Sequence, residues 1–195
     1  MFAGKLILPI LFVLAALLVA GGFWTWRQYF DDYHLAVVRE GVLYRDGVRS
    51  VRQFAAALQR VKPRTVVSLV DDSENARQPF ADELALCKDN GAELIRIAVP
   101  LGGWPTADQV RRFLEIANDP ARQPVLVHCA QGVRRTGMMV AAYQESVMRF
   151  DRDRAKAALL AFGHSQRTVG DVQRFIDVYD PAAQCMTEQL PQSTE

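Results

Sequence analysis

Apolar residues crowd the amino terminus, where Leu6 to Trp26 runs for 21 residues without a charge, interrupted only by Pro9, Gly21, Gly22 and Thr25. Wound as a helix at about 1.5 Å per residue, this run reaches about 31 Å, the hydrocarbon thickness of a bilayer, and so predicts one transmembrane helix. Lys5 ahead of it and the small residues Ala20-Gly21-Gly22 also fit a cleavable secretory signal. Apolar character continues through Phe23, Trp24 and Trp26 up to Arg27, like the aromatic belt of an anchored helix, which favours an uncleaved anchor. Lys5 on one side and Arg27 and Arg39 on the other balance too closely to fix its orientation.

Beyond the anchor the pattern changes to short alternating elements. Leu35 to Arg49 alternates apolar and polar residues around Gly41 and Asp46-Gly47, which predicts a hairpin. Val51, Phe54, Ala55, Leu58 and Val61 recur at helical spacing before Pro63, and Thr65 to Val70 is a β-branched run of strand length. Phe80, Leu84 and Cys87 predict the apolar stripe of a second helix, with Cys87 in the core, and Ala92 to Val99 a strand ending at Pro100. Thr106 and Gln109 have the spacing of a capping box, opening a helix whose stripe is Val110, Phe113, Leu114 and Ala117. A strand at Pro124 to Cys129 and helices at Thr136 to Phe150 and around Val172, Phe175, Ile176 and Tyr179 complete the series. Strands alternating with helices predict an α/β fold, a central mostly parallel sheet flanked by helices, preceded by the membrane helix. The expected organisation is an anchor over 1–30, one folded domain over 31–182 and a polar tail over 183–195.

Charge narrows the function. The chain has 23 Lys and Arg against 22 Asp and Glu, and setting Lys5 aside leaves 22 of each outside the apolar run. That balance gives no field to hold a polyanion, so no nucleic-acid partner is expected. Three widely spaced cysteines suggest neither a disulfide framework nor a paired-cysteine metal site, which leaves room for one reactive thiol.

The strand ending in His128-Cys129 runs into Ala130-Gln131-Gly132-Val133-Arg134-Arg135-Thr136-Gly137 and then into an apolar helix. A cysteine at the end of a buried strand, next to a helix start, sits where backbone N–H groups converge and the helix dipole is positive. Those conditions favour thiolate over thiol. The same N–H groups, from Ala130 to Arg135, would cradle the oxygens of a phosphate, with Arg135 gripping two of them in a planar fork. Arg134 adds a second cation to the loop.

His128-Cys129, five intervening residues and Arg135-Thr136-Gly137 resemble the active-site loop of the cysteine-dependent protein phosphatases, and the order of elements is similar to the small dual-specificity group. Gly41-Val42-Leu43-Tyr44-Arg45 and the strand TVVSLV resemble the opening of that domain in bacterial and plant-type members. The resemblance covers Leu35 to Tyr179. It implies that Cys129 attacks phosphorus to form a phosphocysteine, that Arg135 binds the phosphate and Thr136 assists the departing thiolate, and that His128 orients the loop. It also implies a phosphorylated protein, phospholipid or inositol phosphate substrate, and no metal or cofactor. The family's usual general-acid Asp is missing, because Val99-Pro100-Leu101-Gly102-Gly103-Trp104-Pro105 contains no carboxylate. Asp108, Asp71 and Asp72 are the candidates in its place, or there is none. A phosphate-binding pseudophosphatase is the alternative expectation.

Overall fold

The computed structural model describes the backbone of residues 4–30, 34–160 and 166–186, and the side-chain surroundings of 11–25, 34–159 and 169–186. The strand Val125–Cys129 (β5) is buried at every position, as a strand covered on both faces must be. It occupies the middle of a five-stranded sheet with β1 (Ala36–Arg39), β2 (Leu43–Gly47), β3 (Thr65–Ser68) and β4 (Glu93–Arg96), in the order β1-β2-β5-β3-β4. Pairings β2–β5, β5–β3 and β3–β4 are parallel, and β1 closes one edge as an antiparallel partner of β2. The mostly parallel sheet predicted from the alternation of elements is therefore present.

One face carries α4 (Ala107–Asn118), α5 (Arg134–Ser146) and α7 (Gln166–Val178), whose Phe113, Met138 and Phe175 join Val67 and Val127 in a single core. The other face carries α2 (Val51–Val61) and α3 (Glu83–Asp89), with Phe54, Leu58 and Cys87 against Val66 and Leu126. Helix α6 (Arg152–Leu160) follows α5. The capping box opens α4 as predicted: Gln109 N–H donates to Thr106 Oγ1 at 3.2 Å, and Thr106 N–H donates to Gln109 Oε1 at 2.9 Å. Thr106→Ala is expected to lower stability by about 1 kcal/mol in urea denaturation.

Four expectations change. Asp46-Gly47 is not a turn but the end of β2, whereas the hairpin does reverse around Gly41, at Glu40-Gly41-Val42. Leu84 does not lie on the buried stripe: a 3₁₀ turn at Phe80–Asp82 resets the helical phase, so Leu84 is 64% exposed and Glu83 takes the buried position. The tail does not begin at 183, because Cys185–Met186 (β7) pairs antiparallel with Tyr179–Asp180 (β6); residues 187–195 lie outside the described residues.

The fourth concerns the anchor. Gly4–Phe30 (α1) is helical, and Leu11, Phe12, Leu17, Leu18, Phe23 and Trp24 are exposed along it. Among the described residues no helix is long and apolar enough to cross a membrane. The side chains of Leu6 to Ile10 and of Trp26, at the two ends of the expected span, lie outside the described residues.

Candidate active site

The register of β2 against β5 places Gly47 beside Cys129 and Asp46 beside His128. After Cys129 the chain must curl at once to start α5 at Arg134, and it does so over the end of β2. Gly132 takes a left-handed φ of +67°, and a Cβ there would lie 2.4 Å from the Asp46 carbonyl oxygen. A Cβ on Gly47 would in turn lie 2.4 Å from the Gln131 carbonyl oxygen. Two backbones thus touch where neither can carry a side chain. Gly132 N–H consequently donates to Cys129 Sγ at 3.2 Å, and the thiol, 3% exposed, sits at the mouth of the loop ahead of α5.

Other groups hold this curl from outside. Arg45 is fully buried and donates from Nη2 to the Gly132 carbonyl at 2.5 Å; burial lowers its pKa to about 10, opposed by the charge of Cys129. His34 donates from Nδ1 to the Gln131 carbonyl at 2.6 Å. His128 is buried beneath the loop, and burial pushes its pKa down to about 3. Thr136 is buried one position beyond Arg135, its hydroxyl without a hydrogen-bond partner among the described residues.

Arg135 is 5% exposed and donates from Nη1 to Glu74 Oε2 at 2.6 Å, to the Leu69 carbonyl at 3.2 Å and to the Val99 carbonyl at 3.3 Å, with Nη2 on Glu74 Oε1 at 3.2 Å. Burial alone would lower its pKa, but Glu74 and Cys129 raise it on balance. Burial likewise opposes the Glu74 carboxylate, which Arg135 nevertheless holds below the ordinary range.

Arg134 departs from expectation. Its side chain donates to the Gly102 and Gly103 carbonyls, each at 2.7 Å, and pairs with Asp171 of α7. It is a clamp on the 100–105 loop rather than a spare cation for phosphate. Leu101 N–H is held from the other side by Asp71 Oδ2 at 3.0 Å, and Trp104 packs edge-on against Phe175 at 5.6 Å.

The three candidate acids separate clearly. Asp71 accepts from the N–H groups of Ser73 at 2.9 Å and Leu101, which together hold its carboxyl below the ordinary range, and its own N–H donates to Glu74 Oε2 at 3.1 Å. Asp72 is exposed and accepts from the Asn75 amide at 3.1 Å. Asp108 is exposed in the first turn of α4 and pairs with Arg111. Of the three, Asp71 is the one tied to the Arg135–Glu74 pair. Sequence reasoning missed Glu74, Gly47 and Asp171 and gave Arg45 no role of its own: Glu74 and Asp171 stand in stretches without a decisive pattern, and the Asp46-Gly47 turn signal hid the continuation of β2 to Gly47.

A parallel sheet that delivers a cysteine to the N–H groups heading a buried helix, with an arginine six residues on, defines the architecture of the cysteine-dependent phosphatases. The chain belongs to the family described as DSP-PTPase phosphatase fused to NAD+ kinase, whose model matches residues 40–180. It is 31% identical over 130 residues to the dual specificity protein phosphatase TpbA of Pseudomonas aeruginosa, covering 67% of this chain and 55% of that protein. It is 25% identical over 149 residues to the inositol diphosphatase SIW14 of Saccharomyces cerevisiae, covering 72% of this chain and 49% of the relative. The solved structure of the Siw14 catalytic core superposes with a TM-score of 0.64 at 21% identity, covering 77% of this chain and 87% of that one, a likeness of fold. The chain thus spans about half the length of these two curated relatives.

Proposed function

We propose that the chain is a membrane-anchored phosphatase that hydrolyses phosphate monoesters, of phosphorylated proteins or of phospholipid head groups, through a phosphocysteine at Cys129. The observation that carries this reading is the placement of Cys129 Sγ at 3.2 Å from the Gly132 N–H, in a loop that also delivers the buried Arg135 guanidinium. Sγ attacks phosphorus, the bond from phosphorus to the leaving oxygen breaks, and the N–H groups of Ala130 to Arg135 hold the non-bridging oxygens. Arg135 exchanges part of its contact with Glu74 for the phosphate, a carboxylate-for-phosphate swap that suits its planar fork. Water then attacks the phosphocysteine, inorganic phosphate departs, and the free Thr136 hydroxyl donates to the returning thiolate. His128 supports the loop from below.

Protonation of the leaving oxygen is the weak step. Both oxygens of Asp71 are engaged by N–H groups that keep it ionised, and Asp108 is paired with Arg111. Substrates whose leaving group needs little protonation therefore suit the site best, and the diphosphatase activity in the name of SIW14 supports this, since a diphosphate leaves as phosphate. The chain is expected to turn over p-nitrophenyl phosphate at least about 10²-fold faster than an alkyl phosphate, the deficit general acid catalysis would otherwise make good. Equal rates would mean that an acid is recruited, and Asp71→Asn and Asp108→Asn would identify it. The Glu74 carboxylate seated on Arg135 favours a second reading, a pseudophosphatase. Binding of vanadate without turnover of any ester would establish that reading.

The apolar, exposed helix supports an anchor over Leu6 to Trp26, with the folded domain following from residue 31. Tethering raises the local concentration of membrane-borne substrates. The full chain is expected to stay with the membrane pellet after alkaline carbonate washing, and its release would dismiss the anchor.

A further inference from the structure

A set of ionisable groups lies behind the nucleophile strand, outside the phosphate loop. Glu83 is the first residue of α3 and yet fully buried, and its Oε1 lies 3.4 Å from Nε2 of the equally buried His128. The Ser68 hydroxyl, on the β3 residue in register with His128, faces the same carboxyl, and Arg96 Nη2 reaches Glu83 Oε2 from the solvent side at 3.7 Å. Cys87, one turn further along α3, is the other titratable group beside Glu83. Phe54 closes off the imidazole with ring centroids 5.2 Å apart.

A carboxyl in such a dry position is costly unless a neighbour uses it. The Glu83 oxygens, the His128 ring nitrogens and the Ser68 hydroxyl make no well-directed hydrogen bond among the described residues, and their contacts are looser ones, Ser68 and Nε2 to Glu83 and the other side of the ring to the Cys129 backbone. These atoms have one another for company. Burial raises the Glu83 pKa to about 7 and lowers that of His128 to about 3, so near neutrality the imidazole is uncharged and the carboxyl holds a proton much of the time. A neutral imidazole has one donor nitrogen and one acceptor nitrogen. A carboxyl O–H facing Nε2 makes that nitrogen the acceptor and leaves the ring hydrogen on Nδ1, for the Cys129 backbone that His128 adjoins.

We propose that Glu83 is a positioning residue for the nucleophile: its carboxyl fixes the tautomer and tilt of His128, and His128 fixes the Cys129 backbone from which Sγ projects. The inference rests on Cys129 being the nucleophile of the phosphatase reading. Its test therefore has one readout that needs no turnover, the rate at which iodoacetamide alkylates Cys129 between about pH 5 and 9, followed by peptide mass. The second readout is kcat and KM on p-nitrophenyl phosphate.

In the full chain, Glu83→Leu, which cannot donate to Nε2, is expected to slow alkylation near pH 6 by about tenfold, the effect of one unit in thiol acidity. It should lower kcat with little change in KM. Glu83→Gln, whose amide N–H can replace the carboxyl O–H, should restore both rates and flatten any step near pH 7. In a His128→Asn background, neither change at position 83 should have a further effect. Wild-type alkylation and kcat in Glu83→Leu would overturn the proposal, as would a Gln variant as impaired as Leu. If the Leu variant does not fold, a Glu83→Gln profile that keeps the wild-type step near pH 7 would overturn it too. A wild-type chain without turnover, but with the alkylation rates ordered as stated, would retire the phosphatase reading and uphold this one.

Discussion

Cys129→Ser is expected to abolish hydrolysis of p-nitrophenyl phosphate, by at least about 10³-fold as for removal of the nucleophile in other covalent hydrolases, while vanadate or phosphate still binds. The substitution is nearly isosteric and leaves the loop N–H groups and Arg135 in place, so the anion cradle survives. A serine hydroxyl, however, stays protonated at neutral pH, and His128 is too weak a base to take its proton: burial pushes the ring's pKa down to about 3, and its Nε2 faces Glu83. Nucleophile loss without binding loss is thus the signature of a covalent mechanism. Residual turnover in the Ser variant that still depends on Arg135 would instead indicate direct attack by water and would remove the phosphocysteine from the account.

The second large effect lies outside the loop. Gly47→Ala should destabilise the domain by about 3 kcal/mol or more and suppress activity, although residue 47 carries no functional group. Its Cβ would meet the Gln131 carbonyl oxygen at 2.4 Å, its carbon at 2.5 Å and the Gly132 nitrogen at 2.9 Å. All three are backbone atoms, so no side chain can swing aside, and either β2 must part from β5 or the loop must rise off the thiol. Gly170→Ala on α7 is the control, since among the described residues nothing lies within 4 Å of a Cβ there. It should leave activity unchanged and stabilise slightly, because alanine is the better helix residue. Urea denaturation and kcat measured on both variants test the contrast. A Gly47→Ala variant with native stability and rate would show that the two backbones are not in this contact.

The parts of this molecule that could be read from its sequence are those where a local rule has a single outcome. The β-branched run at Thr65, the capping box at Thr106 and Gln109 and the loop from Cys129 to Gly137 each form where the residue pattern puts them. What could not be read depends on phase or on tertiary contact. A 3₁₀ turn of three residues rotated α3 enough to exchange Leu84 for Glu83 in the core, which no average over helical periodicity detects. Asp46-Gly47 has the composition of a turn, but its glycine is there to admit another backbone, a need that exists only once β2 lies against β5. Arg135 was legible as a candidate phosphate ligand. Its partner Glu74 was not, because a carboxylate 61 positions earlier is brought to it only by the crossover between β3 and β4. Arg134 was misjudged for the same reason, its acceptors lying on the 100–105 loop and on α7.

Arg134, Asp71 and Trp104 leave the 100–105 loop no slack, so an arriving phosphate meets a finished wall rather than one it must assemble. Reordering on encounter is then confined to Arg135, which trades part of its contact with Glu74, while the rim, where Leu101 stands exposed, shapes the approach. A loop held in this way leaves less for a closing step, triggered by the right substrate and not by the wrong one, to contribute to selectivity. If the domain is tethered as proposed, confinement to one surface would add to the choice of substrate what a wall already in place does not.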